Sequence, residues 1–156
     1  IFSSPLERAR ETAGPLSAKL RLPIETVESF KEIDFAGWTN RKFSDLDKEE
    51  PSWRQWNAYR SGGWIPGGEA FVEVQARMVL ELETLRRKFP EERVAIFSHG
   101  DPLRAALQYY LGMPLDLFHR IELTPAGYSI LELTDWGARL HTMNATVHLG
   151  KVQPSY

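Results

Sequence analysis

The stretch Val94-Ala95-Ile96-Phe97-Ser98-His99-Gly100-Asp101-Pro102-Leu103-Arg104 reads as a strand that turns directly into a helix. Its first four residues form a short continuous apolar run, which predicts a strand buried on both faces. Ser98-His99-Gly100 supplies the turn, and Asp101-Pro102 is an N-cap with proline behind it. Leu103, Ala106, Leu107, Tyr110 and Leu111 then recur at helical spacing until Gly112. The opening of the chain has the same build. Ile1-Phe2-Ser3 ends a strand, Ser4 is placed to cap, Pro5 suits the first helical position, and Glu7 completes a Ser-x-x-Glu capping box. The apolar stripe Leu6, Ala9, Ala13, Leu16 and Leu20 follows, and Pro23 stops it.

Between these two corners, Ile24 to Val27 predicts a short strand. Residues 30–68 read as a helical insertion, with helix signals at Ser44-x-x-Asp47 and after Pro51. Trp53, Trp56, Tyr59 and Trp64 crowd this segment, and packing rather than a stacking platform is the expectation for them. The turn-rich Gly62 to Gly68 closes it. Phe71, Val74, Met78, Leu82, Leu85 and Phe89 then mark a long amphipathic helix ended by Pro90. Tyr128 to Leu133 and Ala138 to Met143 predict a hairpin around a four-residue loop, Thr134 to Gly137. Strands alternating with helices imply a single α/β domain over residues 1–156 with a mostly parallel central sheet.

At 156 residues, 42% hydrophobic and 26% charged, the chain can bury a core without covalent staples. It has no cysteine, which removes disulfides and thiolate metal sites. No apolar run approaches the roughly 20 residues that span a bilayer, and the first residues lack the charged and apolar regions of a signal peptide. A cytoplasmic location is expected. The net charge of −2 argues against nucleic-acid binding. A small anionic ligand needs only a local cluster.

Ligands of open α/β sheets collect beyond the carboxyl ends of the strands, and helix N-termini there favour phosphate. The two corners put Arg8 on one side, and His99 and Arg104 on the other. Each has an ordinary alternative: Arg8 as a solvated helix arginine, Glu32 as a surface carboxylate. His99, at a strand-to-helix turn before glycine, is the stronger candidate. His119, His141 and His148 lack metal-ligand spacing, so no metal and no cofactor are expected.

Four segments, in order, carry a resemblance. Ser4-Pro5-Leu6-Glu7-Arg8-Ala9-Arg10-Glu11-Thr12-Ala13 resembles the S-x-L-x-R-A-x-x-T-A segment of the histidine phosphatase (phosphoglycerate-mutase-like) superfamily. Glu32-Ile33-Asp34-Phe35-Ala36-Gly37-Trp38 resembles its E-x-x-F-G-x-W segment, with Ala36-Gly37 replacing the usual glycine spacing. Pro66-Gly67-Gly68-Glu69 is similar to its P-G-G-E turn, and Ser98-His99-Gly100-Asp101-Pro102-Leu103-Arg104-Ala105 to its second histidine motif. The short, tryptophan-rich stretch before Gly68 looks most like the α-ribazole phosphatase and broad phosphatase branch.

The resemblance implies a phosphoglycerate-mutase-like three-layer α/β sandwich and hydrolysis of a phosphomonoester through a phosphohistidine. Arg8 and His99 would hold the phosphoryl oxygens, and Glu32 would act as general acid and then general base. Gly68 and Glu69 would lie on the substrate side. The partner would be a small phosphorylated metabolite, with no nucleic acid and no membrane, and a homodimer through the hairpin edge is conceivable. Mutase-type phosphoryl transfer and a non-catalytic phospholigand-binding relic are the alternatives. The family's nucleophilic histidine lies in an R-H-G motif at the end of a first strand. No Arg-His-Gly occurs here, so that strand is expected upstream of Ile1, within a βαβ unit of about 30 residues, and its absence should leave a gap in the core.

Overall fold

In a computed structural model that describes residues 1–146, the opening strand β1 (Phe2–Ser3) is paired on both edges. It runs parallel to β2 (Glu25–Thr26) and parallel to β3 (Ile96–Phe97), giving the order β2-β1-β3. Helix α1 (Glu7–Leu20) makes the crossover from β1 to β2. The register sets Ser3 beside Phe97, and the Ser4 N–H donates to the Phe97 carbonyl at 2.8 Å. Both strand-to-helix corners therefore emerge side by side at one end of the sheet.

The strand over residues 94–97 differs from its expectation. Only Ile96 and Phe97 enter the ladder, and the run is half-buried rather than covered on both faces. Among the described residues β3 pairs only with β1, so its second edge has no neighbour. Val94 and Ile96 instead pack against the cluster of Phe2, Phe30, Met78, Leu85 and Ala106.

Residues 30–68 hold two short helices, α2 (Phe43–Glu49) and α3 (Pro51–Ala58), with a 3-10 turn at Ala36–Trp38. Trp38, Trp53 and Trp56 are buried with their rings 5.4–5.9 Å apart, whereas Tyr59 and Trp64 are exposed. Helix α4 (Phe71–Lys88) joins the two parts of the core. Phe71 and Val74 pack with the tryptophans, and Met78 and Leu85 with the sheet cluster. Glu73 accepts from the Ala70 N–H at 2.8 Å, satisfying one free donor at the start of α4. Helix α5 (Gly100–Tyr110) follows β3 directly and lies along α4.

Two predicted caps are displaced. Helix α1 starts at Glu7, and Ser4 makes no capping box. Ser4 is held in the ladder and fully buried, so its Oγ accepts from the Leu6 N–H at 3.2 Å and otherwise faces His99. In α5 the capping position is His99, and Asp101 lies inside the first turn with its carboxylate turned to arginines. The hairpin of β4 (Tyr128–Thr134) and β5 (Gly137–Ala145) has a two-residue loop, Asp135-Trp136, rather than four. Thr134 Oγ1 accepts from the Trp136 N–H, and Gly137 takes φ +138, which suits glycine. The hairpin is hydrogen-bonded apart from the parallel sheet. No helix among the described residues is long and apolar enough to cross a membrane.

Candidate active site

His99 sits at the turn from β3 into α5, buried, with Nε2 2.7 Å from Ser4 Oγ. Pairing of β1 with β3 creates this contact across the two corners. Burial pushes the His99 pKa down to about 4, helped by the positive charges of Arg8 and Arg77. At neutral pH the ring therefore offers one N–H and no charge. In the anion-free protein, an NMR titration of His99 is expected to show a midpoint near 4 rather than the ordinary 6.5. Added phosphate should move it upward, because a nearby anion favours the imidazolium.

Glu32 follows the 3-10 turn at Glu28–Phe30 and borders a cleft of about 900 Å³. Its Oε1 accepts from the Ile33 N–H at 3.0 Å. Burial lifts its pKa to about 7, and the Asp101 carboxylate adds to the rise; the Ile33 hydrogen bond, Arg8 and Arg77 oppose it. A carboxyl titrating there can give and take a proton at neutral pH. Arg8, on the first turn of α1, is exposed, and its charge bears on both Glu32 and His99.

A strut holds Glu32 in place. The Glu69 N–H donates to the Asp34 carbonyl at 3.1 Å, and Glu69 Oε2 accepts from the Asp34 N–H at 3.0 Å. Arg77 pairs with Glu69 at 2.9 Å and donates to the carbonyls of Ser29 and Glu32. A Cβ on Gly68 would come within 2.2 Å of the Asp34 carbonyl oxygen, so only glycine fits this approach. Gly68 and Glu69 thus engage the backbone that carries Glu32 and are not among the residues lining its cleft.

Three residues of this site carried no functional signal in the sequence: Asp101 reads as a cap, Arg77 as one polar position on an amphipathic helix, and Arg60, which lines the Glu32 cleft, falls in an aromatic stretch. Of the remaining histidines, His119 lines the cleft and His141 bonds Glu132 on the hairpin, while His148 lies outside the described residues. Among the described residues no group of three or more side chains is arranged to hold a metal ion. The chemistry that this arrangement permits is anion binding by Arg8, His99 and two helix N-termini, with a proton exchanged at Glu32.

Known proteins share this arrangement of strands and helices. A phosphoserine phosphatase (H9A mutant) from Entamoeba histolytica, solved with phosphoserine, superposes with a TM-score of 0.85 at 22% identity, covering 95% of this chain and 74% of that one. The α-ribazole phosphatase from Shigella flexneri gives a TM-score of 0.76 at 20% identity, over 92% and 72% of the two chains. The fold is a phosphoglycerate-mutase-like α/β fold. Residues 1–146 match the histidine phosphatase superfamily (branch 1), and the chain belongs to that superfamily. Phosphoserine phosphatase 1 from Hydrogenobacter thermophilus is 28% identical over 152 residues, covering 97% of this chain and 72% of its own length.

Proposed function

We propose that this chain supplies the phosphate-binding and acid–base groups of a phosphomonoester hydrolase that acts through a phosphohistidine. The carrying observation is Glu32, a carboxyl lifted to about 7 and under the influence of the same Arg8 that acts on His99. In the first step a histidine nitrogen attacks phosphorus, the ester P–O bond breaks, and Glu32 gives its proton to the departing alkoxide. In the second, the Glu32 carboxylate takes a proton from water as its oxygen attacks phosphorus. The N–P bond then breaks and phosphate leaves. Arg8, by its charge, and His99, by its N–H, hold the equatorial oxygens throughout.

The nucleophilic histidine of this reading lies upstream of Ile1, because no Arg-His-Gly occurs among these residues. The substrate is a small phosphorylated metabolite, a reading supported by the relatives named for phosphoserine hydrolysis, and the setting is cytoplasmic.

Calorimetry with inorganic phosphate or vanadate tests the site directly on this chain. One anion should bind, and Arg8→Ala should weaken it at least about tenfold, since a charged hydrogen bond contributes about 1.5–3 kcal/mol. Unchanged binding in the variant would return Arg8 to a solvated helix position.

A further inference from the structure

Asp101 lies in the first turn of α5 and lines the same cleft as Glu32. Two arginines pin its carboxylate. Nη1 of Arg60, a residue just beyond α3, stands 3.8 Å from Asp101 Oδ2, and Nη1 of Arg104, one turn along α5, stands 3.5 Å from Oδ1. Arg60 is itself held fast. Its guanidinium lies between the rings of Trp56 and Phe118, 3.2 and 4.0 Å from their centroids, and the residue is only 3% exposed. Its Nη2 donates to Asn57 Oδ1 at 2.9 Å. Arg104 covers the same Phe118 ring, 4.3 Å from its centroid.

A carboxylate held in this way is a fixed charge. Burial raises the Asp101 pKa, and Arg60, Arg104 and His119 oppose the rise. With two guanidiniums beside it, the group is ionised at neutral pH. His119 carries no charge there, because burial and the two arginines push its own pKa down. Burial is the larger cause of the high Glu32 pKa, and the charges that bear on it come from three helices: Asp101 on α5, Arg8 on α1 and Arg77 on α4. The two arginines favour the carboxylate form, and Arg77 is already paired with Glu69. Among these three, only Asp101 favours the acid form. Asp47 on α2 and Arg54 on α3, exposed on the cleft walls, have opposite signs.

We propose that Asp101 is a positioning residue that acts through Glu32: pinned by Arg60 and Arg104, its carboxylate is a fixed negative charge on the wall of the acid's cleft and favours the form of Glu32 that donates to the leaving group. The proposal rests on the phosphatase reading of Glu32. The charge works in opposite directions on the two steps. Phosphoenzyme formation uses the Glu32 proton and gains from the neighbouring charge. Phosphoenzyme hydrolysis uses the Glu32 carboxylate and loses by it. A residue that served the fold alone would affect both steps in the same direction.

The test begins with an NMR titration of the Glu32 carboxyl in this chain, where the parent midpoint is expected at about 7. In Asp101→Asn the midpoint should fall, so that at pH 7 less than half of Glu32 keeps its proton. Asp101→Glu, which restores the charge, should bring it back towards the parent. Asp101→Asn leaves both arginines without a counter-charge, so a second variant combines it with Arg60→Met. The pair of changes keeps the net charge of the cluster, and the midpoint should again fall. In a longer chain that carries the nucleophilic histidine, Asp101→Asn should make phosphoenzyme formation from an alkyl phosphate decline at lower pH than in the parent. The same variant should hasten phosphoenzyme hydrolysis at pH 6, where the parent holds mostly the protonated acid. An unchanged Glu32 midpoint in the single and double variants would overturn the role of Asp101 and leave the phosphatase reading standing. Equal slowing of both steps would likewise overturn it. A shifted midpoint that neither step follows would overturn the phosphatase reading of Glu32, and the role of Asp101 with it.

Discussion

The 156 residues alone are expected to give no metal-independent turnover of p-nitrophenyl phosphate, whereas the same chain preceded in frame by a strand ending in Arg-His-Gly should turn it over. Covalent transfer needs a nucleophile, and His99 is poorly placed to be one. It matches the other histidine motif of the family, and its Nε2 faces Ser4 Oγ at 2.7 Å. What remains is anion binding plus a general acid. Loss of the nucleophile from an enzyme of the covalent type lowers kcat by on the order of 10⁶. Phosphate released per minute from matched amounts of both proteins is the first measurement. The second is trapping of an acid-labile, base-stable phosphoenzyme, expected only in the longer chain. Equal turnover by both would show that hydrolysis proceeds by a different route.

In that longer chain, Glu32→Gln should slow phosphoenzyme formation from an alkyl phosphate by roughly 10²–10⁴, the usual contribution of a general acid. Formation from p-nitrophenyl phosphate should slow far less, since p-nitrophenolate is a weak base and hardly needs the proton. With the parent protein, formation from the alkyl ester should fall as pH rises through about 7, where the Glu32 proton is lost. An equal slowing for both esters would show that Glu32 is not the general acid. The same carboxyl leaves a mark on stability. Between its ordinary value of 4.5 and about 7, the native protein keeps a proton that the unfolded chain releases. Stability from this group therefore falls as pH rises across that window and is level above it. The Tm of Glu32→Gln relative to the parent should climb over the same interval.

Arg8, Glu32 and His99 were marked by the resemblance of their motifs; the fold sets Arg8 and His99 at neighbouring strand-to-helix corners and Glu32 after the 3-10 turn at Glu28–Phe30. Element types were equally readable: the α4 stripe from Phe71 to Phe89 and the two short helices after Phe43 all formed. Cap positions were not, because Ser4 and Asp101 have partners far away in sequence. A serine before proline looks like a cap until a histidine from the neighbouring strand reaches its hydroxyl. Arg60 was invisible for a related reason. Its environment is assembled from α3, the start of α5 and the 3-10 turn at Leu115–Arg120, and no local pattern reports that Trp56 and Phe118 will enclose it.

The contact of Gly68 with Asp34 has a mechanical consequence. Backbone meets backbone there, so the turn acts as a shim whose thickness sets how far the Glu32 carboxyl projects. Any side chain at position 68 would lift Asp34 away, since neither main chain can bend aside as a flexible side chain could. The displacement would pass through Ile33 to Glu32, two residues off. Shifts of about 1 Å in a reacting group can cost on the order of a hundredfold in rate. Position 68 is thus a place where one methyl group would press on the backbone that carries the acid, with the buried Ile65 side chain 3.0 Å away as its other neighbour.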